Sequence, residues 1–72
     1  MPRFIEKVEE KINTSAFKLF GEKGYNHVTM KMVARDVGIS VGTLYNYYSN
    51  KQDLFLSAFK QSFDQIYFAL DE

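Results

Sequence analysis

Between Thr29 and Lys51 the sequence gathers side chains suited to recognition rather than catalysis. Asn46 offers an amide donor and acceptor on one short stem, Ser40, Thr43, Tyr45 and Tyr47 bring hydroxyls, and Lys31 and Lys51 are cations. Groups of this kind hydrogen-bond polar edges and neutralise anions. Covalent chemistry lacks its parts. Cysteine is absent and His27 is the lone histidine, so no thiolate metal site or Ser/His/Asp triad can be assembled. Neither a nucleophile with its base, nor paired catalytic carboxylates, nor a phosphate-cradling loop can be picked out. The expectation is a protein with no enzymatic activity, cofactor or metal.

Those residues need elements to position them. From Arg3 to Lys23, Ile5, Val8, Ile12, Ala16 and Leu19 recur every three or four positions, with Phe4, Phe17 and Phe20 widening the stripe. That is the period of an amphipathic helix. Pro2 suits its first turn, and Gly24 followed by Tyr25 reads as its stop. Thr29 is an expected N-cap for a short second helix burying Met30, Val33, Ala34 and Val37, ended by Gly38. Ser40 caps a third, from Val41 to about Tyr48, with Leu44 and Tyr48 on one side at i, i+4. Asn50 opens a fourth, Lys51 to about Asp71, with Asp53 in a short version of a capping box. Its near half offers Leu54, Phe55, Ala58 and Phe59. Its far half carries Phe63, Ile66, Tyr67, Phe68 and Leu70 on more than one face and calls for a second domain or subunit as cover. Two short helices joined by a three-residue, glycine-containing turn are a helix-turn-helix pattern.

On a helical wheel of 100° per residue, Leu44 and Tyr48 point inward, and Gly42 and Asn46 point out. Thr43 and Tyr47 flank that outward face on one side, Val41 and Tyr45 on the other. The arrangement suits a major-groove reader: Asn46 for a bidentate pair with adenine, Val41 for a thymine methyl, and the hydroxyls for phosphate oxygens. Gly42 lets backbone approach base edges, although glycine costs about 1 kcal/mol of helix propensity relative to alanine. Helix starts at Thr29 and Asn50 offer free N–H groups and a positive dipole end to phosphate, with Lys31 and Lys51 in their first turns. Each residue also has a purely structural reading. Thr29, Ser40 and Asn50 are ordinary caps, Tyr45, Tyr47 and Tyr48 make an aromatic cluster, and Lys31 and Lys51 are solvated charges. The constellation, not any single member, favours nucleic acid.

Composition neither forbids nor demands that reading. Nine basic and nine acidic residues cancel, so the basic excess typical of a nucleic-acid binder is missing. The charge is unevenly spread: Lys31, Arg35 and Lys51 stand against Asp36 alone in residues 29–51, while residues 52–72 are net acidic. Seventy-two residues make one small domain. With no long apolar run and no signal-peptide pattern, a cytoplasmic location is expected.

The run GYNHVTMKMVARDVGISVGTLYNYYSNKQDLF, from Gly24 to Phe55, resembles the N-terminal signature of the TetR family of transcriptional regulators. It includes a Gly-Thr-Leu-Tyr core and a lysine six residues after that core's tyrosine. The flanking helices extend the likeness over essentially all 72 residues. The resemblance implies an all-α fold, a homeodomain-like three-helix head followed by a long fourth helix. The head would be residues 1–50, its helix-turn-helix about 29–48, and residues 51–72 would link it to an absent C-terminal effector and dimerisation domain. It also implies that Thr29 or Met30 sits on phosphate, that Lys31, Val41 and Gly42 lie near bases, that Thr43, Tyr45 and Tyr47 straddle the groove, and that Lys51 grips the backbone. Where the family often has alanine at position 37 and phenylalanine at 48, Val37 and Tyr48 should be tolerated in a core. Implied partners are double-stranded operator DNA, a second copy and a small-molecule effector. The implied outcome is ligand-released repression of a palindromic site. The alternative is a helical protein-interaction module that uses the apolar end of the fourth helix.

Overall fold

A computed structural model describes the backbone of residues 7–70 and the side chains of residues 7–60. Among the described residues the architecture is all-α: α1 (Lys7–Lys23), a 3-10 turn (Tyr25–His27), α2 (Met30–Val37), α3 (Val41–Tyr47) and α4 (Lys51–Leu70). The helix ends are written in the sequence. Gly24, at φ 87°, turns the chain out of α1, and its amide closes the last turn on the Phe20 carbonyl at 3.0 Å. Thr29 Oγ1 accepts from the Met32 amide at 3.1 Å, Ser40 Oγ from the Thr43 amide at 3.0 Å and Asn50 Oδ1 from the Asp53 amide at 2.8 Å. Each side chain thus satisfies an N–H that has no partner inside its helix. Gly38 closes α2 in the left-handed region at φ 91°, where a Cβ would be strained. The expected starts of α2, α3 and α4 therefore hold. The expectations for Pro2, Arg3, Phe4 and Ile5, and for the apolar far half of α4, lie outside the described residues or side chains.

The core is one cluster drawn from every α-helix: Ile12, Ala16, Leu19 and Phe20 of α1, Met30, Val33 and Ala34 of α2, Leu44 of α3, and Leu54 and Ala58 of α4. Val28, fully buried in the extended link before α2, completes it. No periodic pattern announces Val28. Phe17, read from the sequence as part of the buried stripe, is instead 43 % exposed. It lies at the edge of the α1–α4 seam with its ring 5.3 Å from that of Phe59. Phe55 meets Phe20 across that seam edge-on at 5.0 Å, and Tyr25 of the 3-10 turn edge-on at 5.2 Å, a T-shaped geometry that sets ring edge against ring face. Tyr48 does not extend α3. It leaves the helix in an extended conformation, its amide bonded to the Leu44 carbonyl.

Polar contacts centred on Asp36 fasten α2 to α1. Ser15 Oγ donates to Asp36 at 2.6 Å, and Lys18 Nζ lies 3.2 Å from the same carboxylate. The Ser15 hydroxyl, then Lys18, hold the Asp36 carboxyl below the usual carboxylate range. A folded-state value below the unfolded one stabilises the fold above the unfolded value, about pH 4, and that contribution disappears as pH falls through the folded value. Thermal midpoints of the wild type and Asp36→Asn, followed from pH 6 to pH 2.5, should be separated at the top of the range and converge at the bottom. Curves that coincide throughout would deny the carboxylate any role.

Candidate nucleic-acid interface

The recognition surface is built on α3, a helix pinned from one side. Leu44 is fully buried, and burying one leucine contributes about 1.5–3 kcal/mol. On the opposite side Val41, Gly42, Tyr45 and Asn46 are exposed. Tyr45 is 49 % and Val41 38 % exposed. Thr43 and Tyr47 are half-buried, and Tyr47 packs against the core. Six of the seven residues of α3 thus form one open face and its flanks, with Leu44 as the root.

Local chemistry prepares that face. Ser40 Oγ donates to Thr43 Oγ1 at 2.9 Å while accepting from the Thr43 amide. A hydroxyl has one proton and two lone pairs, so Thr43 keeps its own proton to donate outward. A Cβ on Gly42 would meet only Ser40 Oγ, at 3.9 Å. The protein itself leaves room there for a larger residue.

Lys31 and Arg35 stand one turn apart on the exposed side of α2, lining a shallow cleft with Thr29 and Met32. Asp36, the acid of this segment, is turned away toward Ser15 and Lys18. Like charges at i, i+4 repel by a few tenths of a kcal/mol, and a polyanion laid across them would reverse the sign. Arg35 counts toward the basic charge of the segment, and its i, i+4 spacing from Lys31 places it on this face. Of the alternatives Thr29 and Met30, the Met30 side chain is buried at 6 % exposure, and Thr29 is exposed. Lys51 is half-buried and already engaged. Its ammonium donates to the Tyr25 carbonyl at 2.8 Å and lies 4.3 Å from the centre of the Tyr25 ring. These contacts offset its unfavourable place at the positive end of α4.

Two short helices joined through Gly38, Ile39 and Ser40, the second rooted on its inner side and open on its outer side, define a helix-turn-helix DNA-binding domain. Comparison with known proteins agrees. The family model described as "Bacterial regulatory proteins, tetR family" matches residues 12–58. The chain is 33% identical over 63 residues to the HTH-type transcriptional regulator HbdR of Aromatoleum sp. (strain CIB), covering 88% of this chain and 28% of that protein. It is 27% identical over 71 residues to the fatty acid metabolism regulator protein of Bacillus subtilis (strain 168), covering 99% of this chain and 34% of that one. Among solved structures, the fatty acid degradation regulator FadR from Bacillus halodurans superposes with a TM-score of 0.80 at 26% identity, covering 97% of this chain and 39% of that chain. The chain belongs to the TetR family and is the DNA-binding domain of a transcriptional regulator. It spans about a third of the length of the curated relatives it matches. Among the described residues no helix is long and apolar enough to cross a membrane.

Proposed function

We propose that this domain reads a palindromic operator as part of a homodimeric, ligand-released repressor. In this reading residues 1–50 are the reading head and residues 51–72 the link to a C-terminal effector and dimerisation domain. The observation that carries it is α3 itself, rooted by Leu44 with Val41, Gly42, Tyr45 and Asn46 exposed on its outer side. In the major groove Asn46 pairs with adenine, Val41 meets a thymine methyl, and Gly42 admits close backbone approach. Thr43, Tyr45 and Tyr47 donate to the phosphates on the two walls. Thr29 and Ser40 bring the helix starts against the backbone, Lys31 and Arg35 supply cations, and Lys51 moves from the Tyr25 carbonyl to a phosphate. Two such heads engage half-sites about one helical turn, roughly 34–36 Å, apart, and effector binding changes that separation.

The test is selection of duplexes from a random-sequence library by the intact protein, with salt titrated. A palindrome should be enriched, with affinity falling steeply as salt rises. Lys31→Ala should weaken binding evenly across sequences and lower the logarithmic salt slope by about one. Failure to enrich any duplex at any salt would remove the operator reading, and enrichment of a single half-site bound by one protomer would remove the dimeric mechanism.

A further inference from the structure

α3 has one fully buried residue, Leu44, with Tyr47 half-buried against the core beside it, so this short helix is anchored along one side and its tilt depends on how its two ends are tied. Its N-terminal end is tied to the turn by the Ser40 cap. Its C-terminal end is tied by something the sequence does not announce. Because Tyr48 leaves the helix at φ −138° and ψ 127°, its ring packs against the core and its hydroxyl reaches Asn13 of α1 and Ser57 of α4. The Tyr48 hydroxyl lies 3.3 Å from Asn13 Oδ1. Ser57 Oγ lies 3.1 Å from Asn13 Oδ1 and 3.1 Å from the Tyr48 hydroxyl. Two hydroxyl protons serve these contacts: Tyr48 donates to the Asn13 carbonyl oxygen, and Ser57 donates either to the same oxygen or to the Tyr48 hydroxyl. Asn13 is 5 % exposed, so its amide oxygen is removed from water and the bonds to it are not readily exchanged for solvent.

We propose that Asn13, Tyr48 and Ser57 form a lock that sets the tilt of the recognition helix, making Tyr48 a positioning residue for DNA reading. The inference rests on the DNA-reading assignment above. The three residues come from α1, the exit of α3 and α4, so one cluster references the reading helix to both long helices at once. Recognition constellations need side chains held within about 0.5 Å and 10–20° of the productive geometry. Leu44 fixes the depth of α3, and the cluster fixes its angle.

The test uses the intact protein and the duplex most enriched by the wild type from a random-sequence library. Tyr48→Phe should weaken binding about five- to tenfold with an unchanged salt slope, because no phosphate contact is lost. Asn13→Leu/Tyr48→Phe/Ser57→Ala, which replaces the three polar groups together so that no member of the cluster faces an unmatched one, should be similarly weakened. Ser57→Ala added to Tyr48→Phe should weaken binding by less than the product of the single effects. Wild-type affinity in both Tyr48→Phe and the triple variant, measured well below their thermal midpoints, would overturn the lock while leaving DNA reading intact. A salt slope reduced by about one in Tyr48→Phe would also overturn it, by making Tyr48 a phosphate contact. Absence of selective binding by the wild type would remove the DNA-reading assignment and this inference with it.

Discussion

Gly42→Ala should yield a more stable protein that reads DNA less well. Glycine within a helix is less favourable than alanine by about 0.5–1 kcal/mol, and nothing in the fold requires it at this position. A Cβ there would meet only the Ser40 hydroxyl, at ordinary contact distance. In a domain of this size, each kcal/mol gained raises the thermal midpoint by roughly 4–8 °C. The same methyl group would stand on the exposed side of α3 among Val41, Tyr45 and Asn46, where backbone and base edges are proposed to meet. Affinity for the selected duplex should fall about tenfold, the equivalent of about 1.4 kcal/mol. Thermal unfolding and a binding titration on the same preparation measure both quantities. An alanine variant that gains stability and binds as before would show that no close approach occurs at Gly42.

Leu44→Ala should have the larger effect, and in one direction only. Leu44 is fully buried and is the root of α3. Removing a buried leucine down to alanine costs about 2–5 kcal/mol, depending on how far the site collapses. Domains have stabilities of about 0.05–0.15 kcal/mol per residue, so a chain of 72 residues has little in reserve. The thermal midpoint should drop by roughly 8–40 °C, and DNA binding should vanish as the fold does. A variant with a near-native midpoint would mean that α3 is held by contacts other than its single buried side chain.

These two substitutions lie two residues apart on a helix whose polarity was legible from sequence. The period of the apolar residues placed Leu44 inward and Gly42 outward, and the caps at Thr29, Ser40 and Asn50 marked where three helices begin. Cap and period are local signals, encoded within three or four residues. The interactions that were not legible join residues far apart in the chain: Ser15 with Asp36, Asn13 with Tyr48 and Ser57, and Lys51 with Tyr25. No short-range pattern carries them. Tyr48 illustrates the difference. Read as a core ring where phenylalanine also serves, it has a hydroxyl that only the meeting of α1 and α4 makes useful. Val28 escaped because a buried residue in an extended link has no period to betray it. Phe17 falls on the apolar stripe by period, but the stripe on α1 is wide and its edge is set by how closely α4 approaches. The relative charge of the interface was only partly readable, since composition counts Asp36 beside Lys31 and Arg35 while the fold turns it toward α1.

The two flanks of α3 differ in when their side chains lose rotational freedom. Thr43 and Tyr47 are half-buried, so part of their rotamer entropy is lost as the domain folds. Tyr45 and Val41 stand in solvent. Valine has little freedom to lose, because its branched Cβ already restricts χ1 in a helix, whereas immobilising a long side chain on binding costs about 0.5–1.5 kcal/mol. Any partner seated on this face therefore meets one edge that is already set and one tyrosine, Tyr45, that must be brought to rest at the moment of contact.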